Sequence, residues 1–181
     1  MPSAIPPSAD VIARAARVRL ACFDVDGTLT DGRLAFDSDG LETKTFHVHD
    51  GQGLVLLRKS GIAVALVTAR KGGIVERRAA ELDVEAHVAV GDKLARVEAL
   101  CDALDIGLDE VAFMGDDLPD VRVMRAVGLA AAPADAHACV DDAVHWRAEA
   151  RGGRGAARAL CDLILQAQGR LDRIHADGRV S

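Results

Sequence analysis

The run Phe23-Asp24-Val25-Asp26-Gly27-Thr28 sets two carboxylates two positions apart at the end of an apolar segment, residues 18–25. Residues i and i+2 leave a strand on one face, and a turn after Val25, which Gly27 permits, can swing Asp26 toward Asp24. One carboxylate can then attack an electrophilic centre while the other hands a proton to a departing oxygen. The pair also invites a hard cation with oxygen ligands, for which Mg2+ is the natural choice. Nucleophile, proton donor and charge neutralisation are what phosphoryl transfer from a monoester requires. Taken alone, an Asp-x-Asp-Gly run reads first as an acidic turn, so the elements behind it must be considered.

Residues 9–17 have helical spacing, and 18–25 read as a buried strand. Residues 34–36 and 43–48 flank the Asp37-Ser38-Asp39-Gly40 turn as the arms of a β-hairpin. Helical patterns at 53–60, 74–82, 93–104 and 119–126 alternate with strands at 62–67, 87–90, 111–114 and 128–131. Such βαβα order predicts an α/β, Rossmann-like fold: a mainly parallel sheet, helices on both faces and a projecting β-hairpin. Ligands of such a sheet belong at the carboxyl ends of its strands. Arg151-Gly152-Gly153-Arg154-Gly155 precedes a last helix, 156–168, and the polar end after it is expected to be mobile.

Three more segments fall at predicted strand ends: Thr68, Lys93, and Gly115-Asp116-Asp117-Leu118-Pro119-Asp120. With DVDGTLTDG they resemble, in order, the four motifs of the haloacid dehalogenase superfamily phosphatases. Singly each has an ordinary reading, as a core threonine, a solvated lysine or a helix-capping acidic cluster. The resemblance implies that Asp24 is the nucleophile and Asp26 the acid and base. Thr68 holds the phosphoryl group, and Lys93 balances charge on nucleophile and phosphate. The same resemblance implies Mg2+ held by Asp24, the Asp26 carbonyl and Asp116. Asp120 stands behind these ligands, and Asp117 behind them or toward substrate.

Only the hairpin and one helix separate the first two motifs, so no large cap domain fits between them. From about residue 18 to 169 the chain resembles the capless 3-deoxy-D-manno-octulosonate 8-phosphate phosphatase family, through TDGRLAFDSDG, KTFHVHDGQG, VTARKGGIVERR, GDDLPD and RGGRGAARALCDLILQAQG. The resemblance implies that His47, Val48, His49, Asp50 and Gly51 contact the sugar and that Arg70 and Arg78 attract its carboxylate or phosphate. Arginine suits planar anions; the ordinary reading of both is surface solvation. It also implies a homotetramer whose hairpins pack together and whose C-terminal segments help enclose neighbouring sites, the Gly152–Gly155 run serving as a flexible lid or simply a loop. Two departures stand out: His49 replaces a common arginine, and the AVGDK loop before Lys93 is one residue short.

The expected organisation is a 1–17 extension, an 18–169 phosphatase domain and a 170–181 tail. A net charge of -6 without a Lys/Arg cluster argues against nucleic acid, and 3% aromatic content leaves little for a stacking surface. The four cysteines form no CxxC pair and read as small buried apolar residues, not as a zinc or redox site. With no signal-peptide or membrane-spanning segment apparent, the expectation is a cytoplasmic protein without a membrane partner. The resemblance implies a place in lipopolysaccharide synthesis. Its rivals are a nine-carbon sialic-type 9-phosphate phosphatase and a non-catalytic relative serving as an interaction module; retention of both Asp24 and Asp26 speaks against the latter.

Overall fold

The computed structural model describes residues 6–178. In chain order the elements are α1 (Ala9–Ala16), β1 (Leu20–Phe23), β2 (Ala35–Phe36), β3 (Glu42–Thr43), α2 (Val48–Lys59), β4 (Ala63–Val67), α3 (Gly73–Leu82), β5 (Glu85–His87), α4 (Lys93–Leu104), β6 (Val111–Met114), α5 (Leu118–Met124), β7 (Leu129–Ala132), β8 (Trp146–Arg147), α6 (Ala156–Ala167) and α7 (Leu171–Asp177). Short 3-10 turns span Leu108–Glu110 and Ala138–Ala143.

The main sheet has the order β5-β4-β1-β6-β7-β8, and every pairing in it is parallel. β1 lies inside, between β4 and β6, with Phe23 level with Leu66 and Met114. All four of its residues are buried, and their alternation builds two cores. Ala21 and Phe23 face α1, α2, α3 and α6, where Val11, Leu54, Ala79, Leu160 and Ile164 fill the space. Leu20 and Cys22 face α4 and α5, against Val97, Cys101, Val123 and Met124. Strands covered on both faces therefore read as unbroken apolar runs.

The structure corrects the expected boundaries where local pattern was misleading. The second hairpin arm stops at Thr43, and the following helix begins at Val48, five residues before the expected start. Gly51 and Gly53 hide that helix in the sequence. They are small because a Cβ at Gly51 would lie 2.2 Å from Arg78 Nη2, and one at Gly53 would lie 3.1 Å from Cys161 Cβ. β5 lies two residues earlier than expected, because Ala89 adopts a left-handed φ of 55° that ends extension.

The segment read as an N-terminal extension is, in α1, part of the core. Ser8 caps it, Val11 and Ala15 are buried, and Arg14 Nη1 donates to Gly128 O at 2.7 Å. Nor is the tail after residue 169 wholly irregular. α7 turns Leu171 and Ile174 onto the core, and Arg170 N–H bonds Leu165 O at 2.9 Å; residues 1–5 and 179–181 lie outside the described range. Cys22, Cys101 and Cys161 are buried as expected, but Cys139 is half-exposed, its thiol 3.5 Å from Asp117 Oδ1. Among the described residues, no helix is long and apolar enough to cross a membrane.

Candidate active site

Parallel strands that end level bring their following residues together. Asp24, immediately after β1, donates its backbone N–H to Met114 O at 2.9 Å, locking it beside the end of β6. Thr68 follows β4 and is tied to the next strand through its N–H to His87 O at 2.9 Å. Asp116 follows β6. Asp24, Asp26, Thr68, Arg70, Lys93, Asp116, Asp117 and Asp120 line one cleft of about 160 Å3.

At its floor Lys93 Nζ donates to Asp24 Oδ1 at 2.5 Å and to Asp120 Oδ1 at 2.6 Å, and all three residues are buried. The shortened loop before Lys93 still delivers it: Ala89 N–H bonds Arg70 O and Val90 N–H bonds Thr68 O, both at 3.0 Å. Asp120 Oδ2 accepts the N–H groups of Asp116 and Asp117 at 3.0 and 3.4 Å. Asp120 thus fixes both the lysine and the loop carrying Asp116. Gly115 is required there, since a Cβ would meet Asp120 Cγ at 2.4 Å. Thr28 Oγ1 donates to Asp116 Oδ1 at 3.4 Å.

The carboxylates repel one another. Oxygens of Asp24, Asp116 and Asp120 lie within 4.8 Å of one another. Burial first, then the Asp120 charge, push Asp24 up to about 8 against the opposing pull of Lys93. Burial and Asp120 likewise raise Asp116 to about 6. Burial works against the Lys93 ammonium, but Asp24 and Asp120 outweigh it and its pKa is raised. Crowded, partly desolvated carboxylates with one cation among them are a donor set short of positive charge, and a hard divalent cation with oxygen ligands fits it. With Asp120 committed to Lys93 and two backbone N–H groups, the carboxylates for that role are those of Asp24 and Asp116. A second cluster, Asp117, His137 and Cys139, lies at the rim; its carboxylate caps α5 at Leu118 N, 2.7 Å away.

Asp26 stands on the opposite wall. Lys44 Nζ binds its Oδ1, while its Oδ2 is buried without a hydrogen-bond partner and lies 3.9 Å from Arg70 Nε. Thr68 Oγ1 accepts the Arg70 N–H at 3.1 Å, leaving its own proton to donate. Sequence reading missed Lys44 and Glu42, which complete this wall. The available signal was the rarity of lysine, four against eighteen arginines.

Other expected sugar contacts stand elsewhere. Asp50 is buried, and its carboxylate accepts Gly155 N–H at 3.2 Å and Arg158 N–H at 2.8 Å, fastening α2 to the start of α6. Burial raises its pKa against those two bonds. Both of its oxygens are thereby engaged within the chain, and Asp50 does not line the cleft. Arg78 reaches Glu81 at 2.9 Å and lies over the Phe46 ring, closing a small recess with His47, Asp50 and Gly51 that is separate from the cleft. Val48 and His49 are exposed at the start of α2, outside the cleft wall. The Gly152-Gly153 run is no loose flap here: Gly153 N–H bonds Thr28 O at 3.0 Å, and a Cβ on Gly152 would lie 1.9 Å from Gly27 O.

Comparison with known proteins agrees with this geometry. Residues 89–160 match the family described as haloacid dehalogenase-like hydrolase. The chain is 45% identical over 169 residues, 92% of its length and 89% of the relative's, to 3-deoxy-D-manno-octulosonate 8-phosphate phosphatase of Escherichia coli K12. It superposes with a TM-score of 0.91 at 36% identity on the phosphatase of that name from Moraxella catarrhalis, solved with magnesium, phosphate and KDO, covering 94% of this chain and 98% of that one. A hypothetical protein from Xanthomonas campestris gives 0.94 at 52% identity, covering 98% of each. The chain belongs to the 3-deoxy-D-manno-octulosonate 8-phosphate phosphatase family of haloacid dehalogenase-like hydrolases.

Proposed function

We propose that this protein is a magnesium-dependent phosphatase that converts 3-deoxy-D-manno-octulosonate 8-phosphate to the free sugar acid and phosphate through an aspartyl-phosphate on Asp24. The observation that carries the reading is the pairing across one cleft of Asp24, braced by Lys93 at 2.5 Å, with Asp26, whose Oδ2 is buried without a hydrogen-bond partner. Asp24 attacks phosphorus in line while Asp26 Oδ2 passes its proton to the leaving sugar oxygen. Asp26 then takes a proton from the water that opens the aspartyl-phosphate. Lys93 balances the charge that builds on the phosphoryl oxygens, and the Thr68 hydroxyl donates to one of them. Mg2+, held by the carboxylates of Asp24 and Asp116 and the Asp26 carbonyl, neutralises phosphoryl charge when bound. Asp117, exposed on the rim, faces incoming substrate, and Arg70 supplies a cation beside it.

Family membership supports placing this step in the cytoplasm and in lipopolysaccharide synthesis. Exposed Leu34, Phe36 and Leu41 on the hairpin support its packing against other copies in a homotetramer. In that assembly Val48 and His49, absent from their own cleft, would meet sugar across a subunit boundary. The domain is capless, with α1 folded into it.

Phosphate release measured with Mg2+ on the eight-carbon 8-phosphate, a sialic-type 9-phosphate, a hexose phosphate and p-nitrophenyl phosphate, with and without chelator, tests the reading. A kcat/KM preference for the eight-carbon ester, abolished by chelation, is expected. Preference for the nine-carbon ester would reassign the substrate, and full turnover by Asp24→Asn would remove Asp24 from the mechanism.

A further inference from the structure

The hairpin contributes two charged residues that none of the four motifs contains. Lys44, just past β3, is 4% exposed at its side chain, and its ammonium contacts Asp26 Oδ1 and, at 3.0 Å, Glu42 Oε1. The same Glu42 oxygen accepts Arg70 Nη2 at 3.0 Å. A chain of ionic contacts therefore runs Arg70, Glu42, Lys44, Asp26. It ends on one oxygen of the carboxylate; the other, Oδ2, is buried without a hydrogen-bond partner, with Arg70 Nε 3.9 Å away.

We propose that Lys44 is a positioning residue for the proton transfer: by pinning Asp26 Oδ1 it presents Oδ2 as the oxygen that exchanges the proton with the leaving group. A buried ammonium is costly to desolvate and is retained where a carboxylate needs it. Proton transfer demands that the donor sit within hydrogen-bond reach of the departing oxygen, and a carboxylate held at one oxygen has one orientation for the other. Arg70 cannot substitute, because its Nε is 3.9 Å from Oδ2 and its Nη2 is engaged by Glu42. Glu42 separates the two cations and holds Lys44 against Asp26. Since Glu42 and Lys44 lie on the hairpin, the hairpin serves chemistry in its own subunit's cleft.

The inference rests on Asp26 as proton donor, so the experiment uses two leaving groups. A sugar alkoxide needs a proton to depart; p-nitrophenolate does not. Because Asp26 also serves the water step shared by both substrates, the readout is the single-turnover rate of leaving-group release; there Asp26→Asn should lose rate selectively on the sugar phosphate, and an equal loss on both substrates would overturn its role as proton donor. With that selectivity established, Lys44→Met should lower the single-turnover rate of sugar release from the sugar phosphate by on the order of 100-fold. On p-nitrophenyl phosphate the loss should be no more than about threefold. In the Asp26→Asn background Lys44→Met should add nothing. Equal losses on both substrates, a rise in KM alone, or additivity with Asp26→Asn would overturn the positioning role while leaving that of Asp26 intact. Glu42→Gln, which leaves Lys44 in place, should give a smaller loss with the same selectivity. That variant decides the matter where Lys44→Met does not fold: a selective loss supports the proposal, and a uniform loss or none overturns it.

Discussion

Replacing Lys93 with methionine removes the cation from the floor of the cleft while roughly keeping its volume. Formally, the carboxylates of Asp24, Asp116 and Asp120 with Lys93 carry a charge of about -2 when all are ionised, and without the lysine about -3. Removing one partner of a buried pair costs roughly 3–5 kcal/mol. At roughly 2–4 °C per kcal/mol for a chain of this size, the metal-free variant should melt some 6–20 °C lower, as ~3–5 kcal/mol implies. The loss should depend on pH in a definite direction. Asp24 titrates at about 8 and Asp116 at about 6 in the folded protein, against about 3.9 for an aspartate in an unfolded chain. Between those values the folded state holds protons that the unfolded chain releases. The stability these groups contribute is therefore full at low pH and is lost as pH rises through 6 and then 8. Without Lys93 both groups titrate higher still. The penalty should accordingly be smaller near pH 5, where Asp24 and Asp116 are protonated with or without the lysine and the lost contact is the one to Asp120, and largest near pH 9. Thermal unfolding in chelator across that range measures it; an equal fall at both ends, or none, would refute the charge-balance account of Lys93.

Other outcomes follow from the same geometry. Because Asp24 and Asp116 hold protons that a metal must displace, Mg2+ affinity should rise with pH up to about 8, by at most about tenfold per unit per proton released. Calorimetry at pH 7 in buffers of different ionisation enthalpy should detect that release; its absence would mean the carboxylates are already ionised. Asp50→Ala removes two backbone bonds at the start of α6 and should cost about 1–2 kcal/mol, with KM for the sugar phosphate unchanged. A raised KM at unaltered stability would restore Asp50 to the substrate. Gly27→Ala places a methyl 2.1 Å from Asp116 Oδ2 at a φ of 92°, so it should weaken Mg2+ binding measured directly by titration.

The chemistry was legible in sequence wherever it depends on residues adjacent in the chain or on strand ends. DVDGTLT, Thr68, Lys93 and GDDLPD each follow an apolar run, and runs buried on both faces are the plainest local signal a parallel sheet leaves. Helices with a clear apolar stripe, such as α6, begin where the pattern places them and end within a residue of it. The start of α2 was illegible because Gly51 and Gly53 carry no stripe. Their smallness answers to Arg78 and to Cys161 on α6, partners remote in sequence. β8, two residues long, is defined only by its pairing with β7 and leaves no pattern of its own.

Sequence alone determined the reaction type and the α/β frame, and marked the carboxylates expected to hold a hard metal, because those depend on residue types at strand ends. Only the tertiary structure decided how the remaining charged side chains divide between chemistry and support. A carboxylate or an ammonium looks the same in a sequence whether it meets substrate or another part of the chain. Asp50, beside a glycine in a segment expected to touch sugar, is consumed by the N–H groups of α6 more than a hundred residues later. Lys44, unremarked in the hairpin, ends on the oxygen of Asp26. Desolvation and pairing assign such groups their roles, and both exist only once distant segments have packed.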